Sequence, residues 1–228
     1  MILTQEKKIR RNKKMPSKER DYRTMELRAA PQGEENDYIV EGYATTFGDT
    51  YELYRSGNYI VQENVDRDAF KDTDMSDVVF QIDHEGRVYA RTRNKSLGLE
   101  IDEHGLKTRT DLSLTAGSRE VYDAIDAGLY DRMSFAFTVT KDSYTEEEKS
   151  DGTVILTRTI LAVGKLYDVS AVSFPANPNT DISARSKDLI DGEIKRFEAE
   201  RLHEREIQEK RNALLEQISR IMEVKSDD

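Results

Sequence analysis

The chain has 228 residues, the size of one ordinary domain or of one domain with tails, and a net charge of −10. Only 36% of its residues are hydrophobic and 35% are charged, so we expect a compact middle with solvated, charge-rich ends. The lack of cysteine excludes disulfides, thiolate zinc sites and cysteine nucleophiles, and three histidines leave few candidates for acid–base chemistry. No apolar run reaches the roughly 18 residues of a membrane span, and no secretory signal is recognisable, so we expect no membrane association.

From about residue 25 to residue 185 the sequence pattern is typical of short strands. Strands are predicted at residues 38–44, 78–82, 98–102, 106–112, 133–139, 154–163 and 166–172. A hairpin turn with Gly105 is predicted at 103–105, a polar hairpin region at 141–152, and one helix at 116–128, where apolar residues recur at helical spacing. This order of elements predicts an α+β, mainly β fold, either a barrel or a sandwich, with peripheral helices.

The composition changes after residue 186. Residues 187–224 contain no proline and one glycine and are rich in Glu, Lys, Arg and Leu, which predicts a long helix. Its apolar positions form a thin stripe that is too interrupted for a coiled coil. The pattern fits a partner-binding helix and a merely solvated amphipathic tail equally well.

The charge is distributed unevenly over the chain. Residues 1–20 hold eight basic and two acidic residues, a net charge of +6, and residues 186–228 hold nine basic and twelve acidic residues, a net charge of −3, so the residues between carry −13. We therefore divide the chain into a basic, disordered leader at 1–24, a domain at 25–185 and a charged helical tail at 186–228. The leader is either solvated and trimmed or docked on an anionic surface. A nucleic-acid partner is not expected, because the acidic body would repel phosphate.

His84 is the histidine best placed for chemistry. It follows an apolar predicted strand and precedes a turn, a position that holds a side chain rigidly and leaves it reachable. His104 lies in the predicted hairpin turn and His203 in the charged helix, where solvated roles are expected. Taken alone, His84 also fits a plain surface residue.

Ser134 and Asp168 complete a set that could act together. Ser134 shares the small face of its strand with Ala136 and Thr138, which leaves room for a group to approach the hydroxyl. Asp168 lies within an apolar strand and needs a partner, since an unpaired buried charge is costly, and an imidazole would supply one. A serine hydroxyl, a histidine base and an orienting aspartate are the parts of a nucleophilic triad, although spacing alone does not establish one. The lack of a Gly-x-Ser-x-Gly elbow argues against an α/β-hydrolase.

A series of short motifs over about 160 residues resembles the tailed-phage prohead maturation proteases, which are serine endopeptidases related in fold to the herpesvirus capsid assembly proteases. The motifs are, in order, Glu41-Gly42-Tyr43-Ala44 with Phe47-Gly48, Asp68-Ala69-Phe70, Asp83-His84-Glu85, Gly105-Leu106, Met133-Ser134-Phe135-Ala136-Phe137, and Leu166-Tyr167-Asp168-Val169-Ser170-Ala171-Val172 followed by Pro175-Ala176-Asn177-Pro178. Each motif is short, and it is their order that makes the resemblance specific.

The resemblance implies that Ser134 is the nucleophile and His84 the catalytic histidine. The herpesvirus relatives use a second histidine as the third member, but neither His104 nor His203 fits, so Asp168 is the better candidate. The chain departs from the family pattern without losing a catalytic side chain. Asp66-Arg67 stand where Pro-Gly is frequent, Asp83 replaces an asparagine, and Ala136 replaces a glycine.

The function implied is a serine endopeptidase that cleaves scaffold or capsid delta segments, and itself, during procapsid maturation. The resemblance further implies a herpesvirus-protease-like β-barrel, no metal or other cofactor, and phage scaffold and major capsid proteins as partners. It also implies a homo-oligomer such as a dimer and a location in the bacterial host cytoplasm inside the procapsid. The alternative is a non-enzymatic capsid scaffold or assembly protein that retains a protease-like fold. Such a protein has no need of Ser134, His84 and Asp168.

Overall fold

The structure is a computed structural model that describes residues 8–12, 20–29, 38–173 and 184–224. The chain divides into two compact units, Met1–Arg185 and Ser186–Asp228. The Pro175-Ala176-Asn177-Pro178 motif and most of the expected leader lie outside the described residues. The division into leader, domain and tail stays a prediction, although strand structure already begins at Lys8 and again at Asp21, ahead of the expected domain start.

The described residues form eleven strands and two α-helices, so the fold is α+β and mainly β, as predicted. The strands are β1 (Lys8–Asn12), β2 (Asp21–Ala29), β3 (Ile39–Thr46), β4 (Tyr51–Ser56), β5 (Tyr59–Val65), β6 (Val79–Ile82), β7 (Glu85–Arg91), β8 (Leu97–Ile101), β9 (Gly105–Asp111), β10 (Arg132–Glu148) and β11 (Val154–Val172). The helices are α1 (Ala116–Asp126) and α2 (Ala184–Val224).

The strands join into one sheet with branches. Its main path runs β4-β5-β11-β10-β2-β3-β9-β8, while β1 pairs with β10, β6 with β11, and β7 with β6. The pairs are antiparallel except for those of β11 with β5 and β6, which are parallel. Over the described strands this path does not close on itself. The expected herpesvirus-protease-like barrel is therefore not observed in this part of the chain.

The two longest strands, β10 and β11, form the centre of the sheet and differ from the sequence prediction. The strands predicted at 154–163 and 166–172 are one strand, and most of the predicted polar hairpin at 141–152 continues β10 to Glu148. Gly164 does not end a strand but allows close packing, since a Cβ there would lie 2.6 Å from Thr140 Cγ2. Register shifts between Ala136 and Asp142 bend the pair without interrupting it.

The core is built from the bulky face of β10 and from the strands around it. Met133, Phe135 and Phe137 are fully buried there. Helix α1 confirms the predicted helix, with Thr115 accepting a hydrogen bond from the Ser118 backbone N–H at its N-terminus. It ends at Asp126, ahead of Gly128, whose φ of 74° is the left-handed conformation that glycine favours after a helix.

Helix α2 belongs almost entirely to the second unit and matches the predicted long helix. Among its described side chains, five large apolar ones are exposed: Leu202, Ile207, Leu214, Leu215 and Ile218. None of the helices within the described residues has both the length and the apolar character that a membrane crossing requires.

Candidate active site

The strand pairing around β11 places Ser134 and Asp168 on one face of the sheet. Ser134 on β10 lies opposite Ser170 on β11, and Ala136 lies opposite Asp168. Residues opposite each other on neighbouring strands point to the same face, and so do residues two apart on one strand. Ser134, Ala136, Asp168 and Ser170 therefore share a face, the small face that the alternation in β10 predicts.

His84 reaches the same strand from its other edge. Strand β6 pairs with β11 up to Ile82 opposite Ala171, and the chain then turns through Asp83 and His84 into β7. Both turn residues have left-handed backbone conformations, with φ of 50° for Asp83 and 59° for His84. The turn brings His84 Nδ1 to 2.5 Å from Asp168 Oδ1.

The environment of Asp168 suits a carboxylate that holds an imidazole in place. Asp168 is 2% exposed, and the Ser170 hydroxyl donates to the same oxygen, Oδ1, at 2.8 Å. When Asp168 is ionised its carboxylate can only accept, and His84 Nδ1 is then the donor of this contact. In the neutral imidazole, Nε2 is then the atom that can take a proton.

Ser134 lies beside this pair but is not joined to it by a hydrogen bond. Its side chain is 1% exposed, and its Oγ has no hydrogen-bond partner among the described residues. Buried hydroxyls in proteins are nearly always hydrogen-bonded, so this one stands out from an ordinary strand serine. Of the three predicted site residues, the structure brings His84 and Asp168 into contact and places Ser134 on the adjacent strand.

The other two histidines have different surroundings. His104 packs edge-on against Tyr43, with ring centroids 4.5 Å apart, at the turn between β8 and β9. His203 is exposed on α2. In the described part of the chain no group of three or more histidine and acidic side chains is arranged so that it could hold a metal ion.

The roles of two further residues at the site were not predicted from the sequence. Ser170 donates to Asp168; the alternation of the strand predicts their shared face, but not this hydrogen bond. Asp83 accepts hydrogen bonds from both the backbone and the side chain of Ser173, and no local pattern signals this contact across 90 residues of sequence.

A second group of buried charged residues lies on β2, β5, β10 and β11. Glu63 accepts from Arg23 Nε at 2.6 Å and from Arg158 at 3.0 Å, and Arg158 also contacts Asp142 at 3.0 Å. Burial alone raises the pKa of Glu63, but the charges of Arg23 and Arg158 and the hydrogen bonds from Arg23 and Tyr51 outweigh it, so the pKa is lowered. This buried ionic cluster explains why polar residues of β10 after Val139 continue the strand.

Comparison with known proteins confirms the resemblance found in the motifs. The family described as caudovirus prohead serine protease matches residues 23–193, which is 171 of the 228 residues and includes His84, Ser134 and Asp168. No significant match is found among curated proteins or among solved structures. Because the family match covers three quarters of the chain, the protein belongs to the caudovirus prohead serine proteases, hydrolases of phage capsid maturation.

Proposed function

We propose that this chain is the endopeptidase that cleaves the scaffold protein and the delta segments of the capsid protein, and also itself, during procapsid maturation. Ser134 is its nucleophile, His84 its general base, and Asp168 the residue that orients His84. The observation that carries the proposal is the contact of His84 Nδ1 with Asp168 Oδ1, on the sheet face that also bears Ser134. Membership in the family supports the serine protease chemistry.

The proposed reaction has two steps. His84 Nε2 takes the proton of Ser134 while Oγ bonds to the scissile carbonyl carbon, and the amine leaves with the proton that His84 returns to it as the C–N bond breaks. Water then attacks the acyl-enzyme, gives a proton to His84, and releases the acid as Ser134 recovers its proton. The carboxylate of Asp168 holds the tautomer throughout and stabilises the imidazolium.

The burial of Ser134 supports a resting state that substrate does not reach. With 1% exposure, the hydroxyl needs a rearrangement of its surroundings before a peptide can approach it and before it can bond His84. Such latency suits a protease that must wait until the shell has assembled.

Family membership implies phage capsid or scaffold proteins as partners and action in the prohead. We propose more specifically that the scaffold protein and the major capsid protein bind the chain inside the procapsid, in the bacterial host, and that α2 is the docking element. A homodimer and a herpesvirus-protease-like barrel in the complete fold are part of the same proposal. The basic residues near the start are proposed to be removed by self-cleavage or to contact anionic surfaces inside the shell.

The test is co-expression of the full chain with the phage scaffold and major capsid proteins, followed by intact-mass measurement of every chain. We expect the wild type to shorten its partners and itself. Ser134→Ala should abolish cleavage, because loss of a triad nucleophile lowers the rate by about 10⁴-fold or more. Ser143→Ala removes another buried hydroxyl from the same strand and should leave cleavage intact.

Identical masses for the wild type and Ser134→Ala would contradict the proposal. That result would favour the alternative, a scaffold or assembly protein that keeps the protease fold without its chemistry. Loss of cleavage in Ser134→Ala and Ser143→Ala alike would point to a folding defect rather than to a nucleophile.

A further inference from the structure

The turn that presents His84 has an unfavourable backbone. Asp83 and His84 are consecutive residues other than glycine, and both have left-handed φ angles, 50° and 59°. Side chains of L-residues crowd the backbone in this region, and aspartate is among the few that tolerate it. A turn of this kind persists only where surrounding contacts hold it, and such turns concentrate at functional sites.

Asp83 makes three hydrogen bonds that hold the turn, one to Ala171 near the end of β11 and two with Ser173, the residue that follows the strand. Its backbone N–H donates to the Ala171 carbonyl at 2.9 Å. Its carboxylate accepts from the Ser173 backbone N–H at 2.8 Å and from the Ser173 hydroxyl at 2.6 Å. We call these contacts of Asp83 with Ala171 and Ser173 the Asp83 strap.

The strap connects the two elements that must be in register for the His84–Asp168 contact. His84 follows Asp83 directly, and Asp168 lies on β11 only three residues before Ala171. Fixing Asp83 to the end of β11 therefore fixes the origin of the His84 side chain relative to the Asp168 carboxylate. The 2.5 Å contact between Nδ1 and Oδ1 leaves little tolerance for displacement of either.

We infer that Asp83 is a positioning residue, which with Ser173 sets the His84 imidazole against Asp168. This inference deepens the proposed function, since it rests on His84 as the base of that reaction. The carboxylate of Asp83 contacts Ser173, so in this inference Asp83 acts on the reaction only through the position of His84. Because the carboxylate contacts of the strap lie at the surface, their loss should disorder the turn without unfolding the domain.

The type of side chain needed at residue 83 follows from the two acceptor positions. Asparagine can accept from the Ser173 backbone N–H through Oδ1 and donate to the Ser173 hydroxyl through Nδ2, and it tolerates the left-handed region. Alanine can do neither. Asp83→Asn should therefore preserve the strap, and Asp83→Ala should break its side-chain contacts.

The first measurement uses the full chain with Ser134→Ala, so that self-cleavage does not interfere. With only three histidines, ¹⁵N-histidine labelling gives three sets of ring signals, and a His84→Asn sample assigns the one that matters. We expect a slowly exchanging Nδ1–H signal for His84 in the parent, in Asp83→Asn and in Asp151→Ala. Asp151 is the matched control, because it accepts from the Thr153 backbone N–H at the far end of the β10–β11 pair. In Asp83→Ala the signal should broaden or disappear, while His104 and His203 stay unchanged.

The second measurement uses the active chain and purified phage scaffold protein at varied concentration. Asp83→Ala should lower kcat by about 10- to 100-fold, the effect of displacing a catalytic group by about 1 Å, with KM within about twofold. Asp83→Asn should recover most of that loss. The thermal unfolding midpoint of Asp83→Ala should stay within about 3 °C of the parent.

An Asp83→Ala chain that keeps both the His84 signal and kcat would overturn the inference, and so would equal losses in Asp83→Ala and Asp83→Asn. If Asp83→Ala does not fold, Ser173→Ala, which removes only the hydroxyl contact, takes its place with a smaller expected loss. The two claims can fail separately. If the wild type cleaves nothing, the proposed function is refuted. If Asp83→Ala nevertheless loses the His84 signal, the Asp83 strap still orders His84.

Discussion

Ser134 and Ser170 face each other across the β10–β11 pair, but their hydroxyls have different surroundings. Ser170 Oγ donates to Asp168, whereas Ser134 Oγ has no hydrogen-bond partner among the described residues. This difference supports Ser134, rather than its neighbour, as the proposed nucleophile. It also assigns Ser170 to the support of the carboxylate.

Replacing Ser170 with alanine should therefore weaken catalysis without removing it. A hydrogen bond to a charged group contributes about 1.5–3 kcal/mol, so we expect kcat/KM for scaffold cleavage to fall by about 10- to 100-fold. Ser143→Ala, a buried serine of β10 without a contact to Asp168, is the control. Unchanged kinetics in Ser170→Ala would show that Asp168 is held well enough by its remaining contacts.

The three site residues proposed from the sequence were recognisable because each stands out in a local pattern. Ser134 lies on the small face of a strand whose other face is bulky, Asp168 is charged within an apolar run, and His84 follows a strand end. Their supports were not recognisable in the same way. The role of Asp83 depends on a backbone conformation and a partner in a distant strand, and neither leaves a mark in neighbouring residues.

At the scale of elements, the β3–β9 pair contains a glycine whose role differs from the predicted one. The sequence predicts Gly105 in the hairpin turn, but Gly105 begins β9, and a Cβ on it would lie 2.0 Å from the Thr45 carbonyl oxygen. Asp102 makes the turn instead, accepting from the backbone N–H groups of His104 and Gly105. The glycine is required for close approach of two backbones.

Gly105→Ala should therefore separate β3 from β9. Because the obstacle is backbone rather than a flexible side chain, we expect a loss of about 3 kcal/mol or more in the free energy of unfolding. Gly98→Ala on the neighbouring strand β8 is the matched control, since its nearest contact, with the Arg109 carbonyl oxygen, would be an ordinary 3.6 Å. The free energy of unfolding of both variants, each combined with Ser134→Ala, is measured by chemical denaturation. Equal values would contradict the close-approach explanation.

The buried ionic cluster links β5 to the second half of β10 through Arg158 of β11, which contacts both Glu63 and Asp142. Glu63→Gln leaves Arg23 and Arg158 without their shared carboxylate, and breaking a buried ion pair costs about 3–5 kcal/mol. Glu52→Gln, which removes an exposed pair with Arg55, should change the free energy of unfolding by no more than about 0.5 kcal/mol. Similar values for the two variants would mean that the cluster adds little to stability.

The same carboxylate gives a pH dependence with a definite sign. The pKa of Glu63 is lowered in the folded chain, so its contribution is fully present above the ordinary unfolded value of about 4.3 and is lost as pH falls through the folded value. The difference in free energy of unfolding between the wild type and Glu63→Gln should be constant above about pH 5 and shrink below about pH 4. A difference that grew on acidification would contradict the sign.

This cluster also explains why the sequence did not reveal β5 and the second half of β10. In β5 the buried positions Tyr59, Val61, Glu63 and Val65 alternate as a strand requires, but a charged residue in the buried series hides the pattern. Asp142 in β10 suggests a polar hairpin for the same reason, because its buried carboxylate has Arg158 as its partner. Strands β3, β6, β8 and β9 contain no residue of this cluster, and they lie close to their predicted bounds.

At the scale of the whole molecule, the composition of the charge-rich tail predicts a helix but does not predict its function. The sequence favoured a partner-binding helix and a solvated one equally, and α2 is a helix of 41 residues. Its exposed Ile207, Leu214 and Ile218 lie seven and four residues apart, which places them along one side of the helix. Under the proposed docking role, this stripe is the surface of α2 that a partner covers.

We therefore expect the double substitution Leu214→Glu with Ile218→Glu to reduce packaging of the protease. Burying two such side chains contributes about 1.5–3 kcal/mol each, so the number of protease copies per purified procapsid should fall by about tenfold or more. The copies are counted by quantitative mass spectrometry in chains that also carry Ser134→Ala, so that the scaffold is not cleaved. Glutamate is a good helix former, and both positions are exposed, so the helix itself should persist.

Asn212→Glu with Gln217→Glu adds the same charge to exposed polar positions and should leave packaging unchanged. Binding to purified scaffold and to purified major capsid protein then identifies which of the two α2 recognises, and normal packaging of the Leu214→Glu, Ile218→Glu chain would assign the tail to solvent.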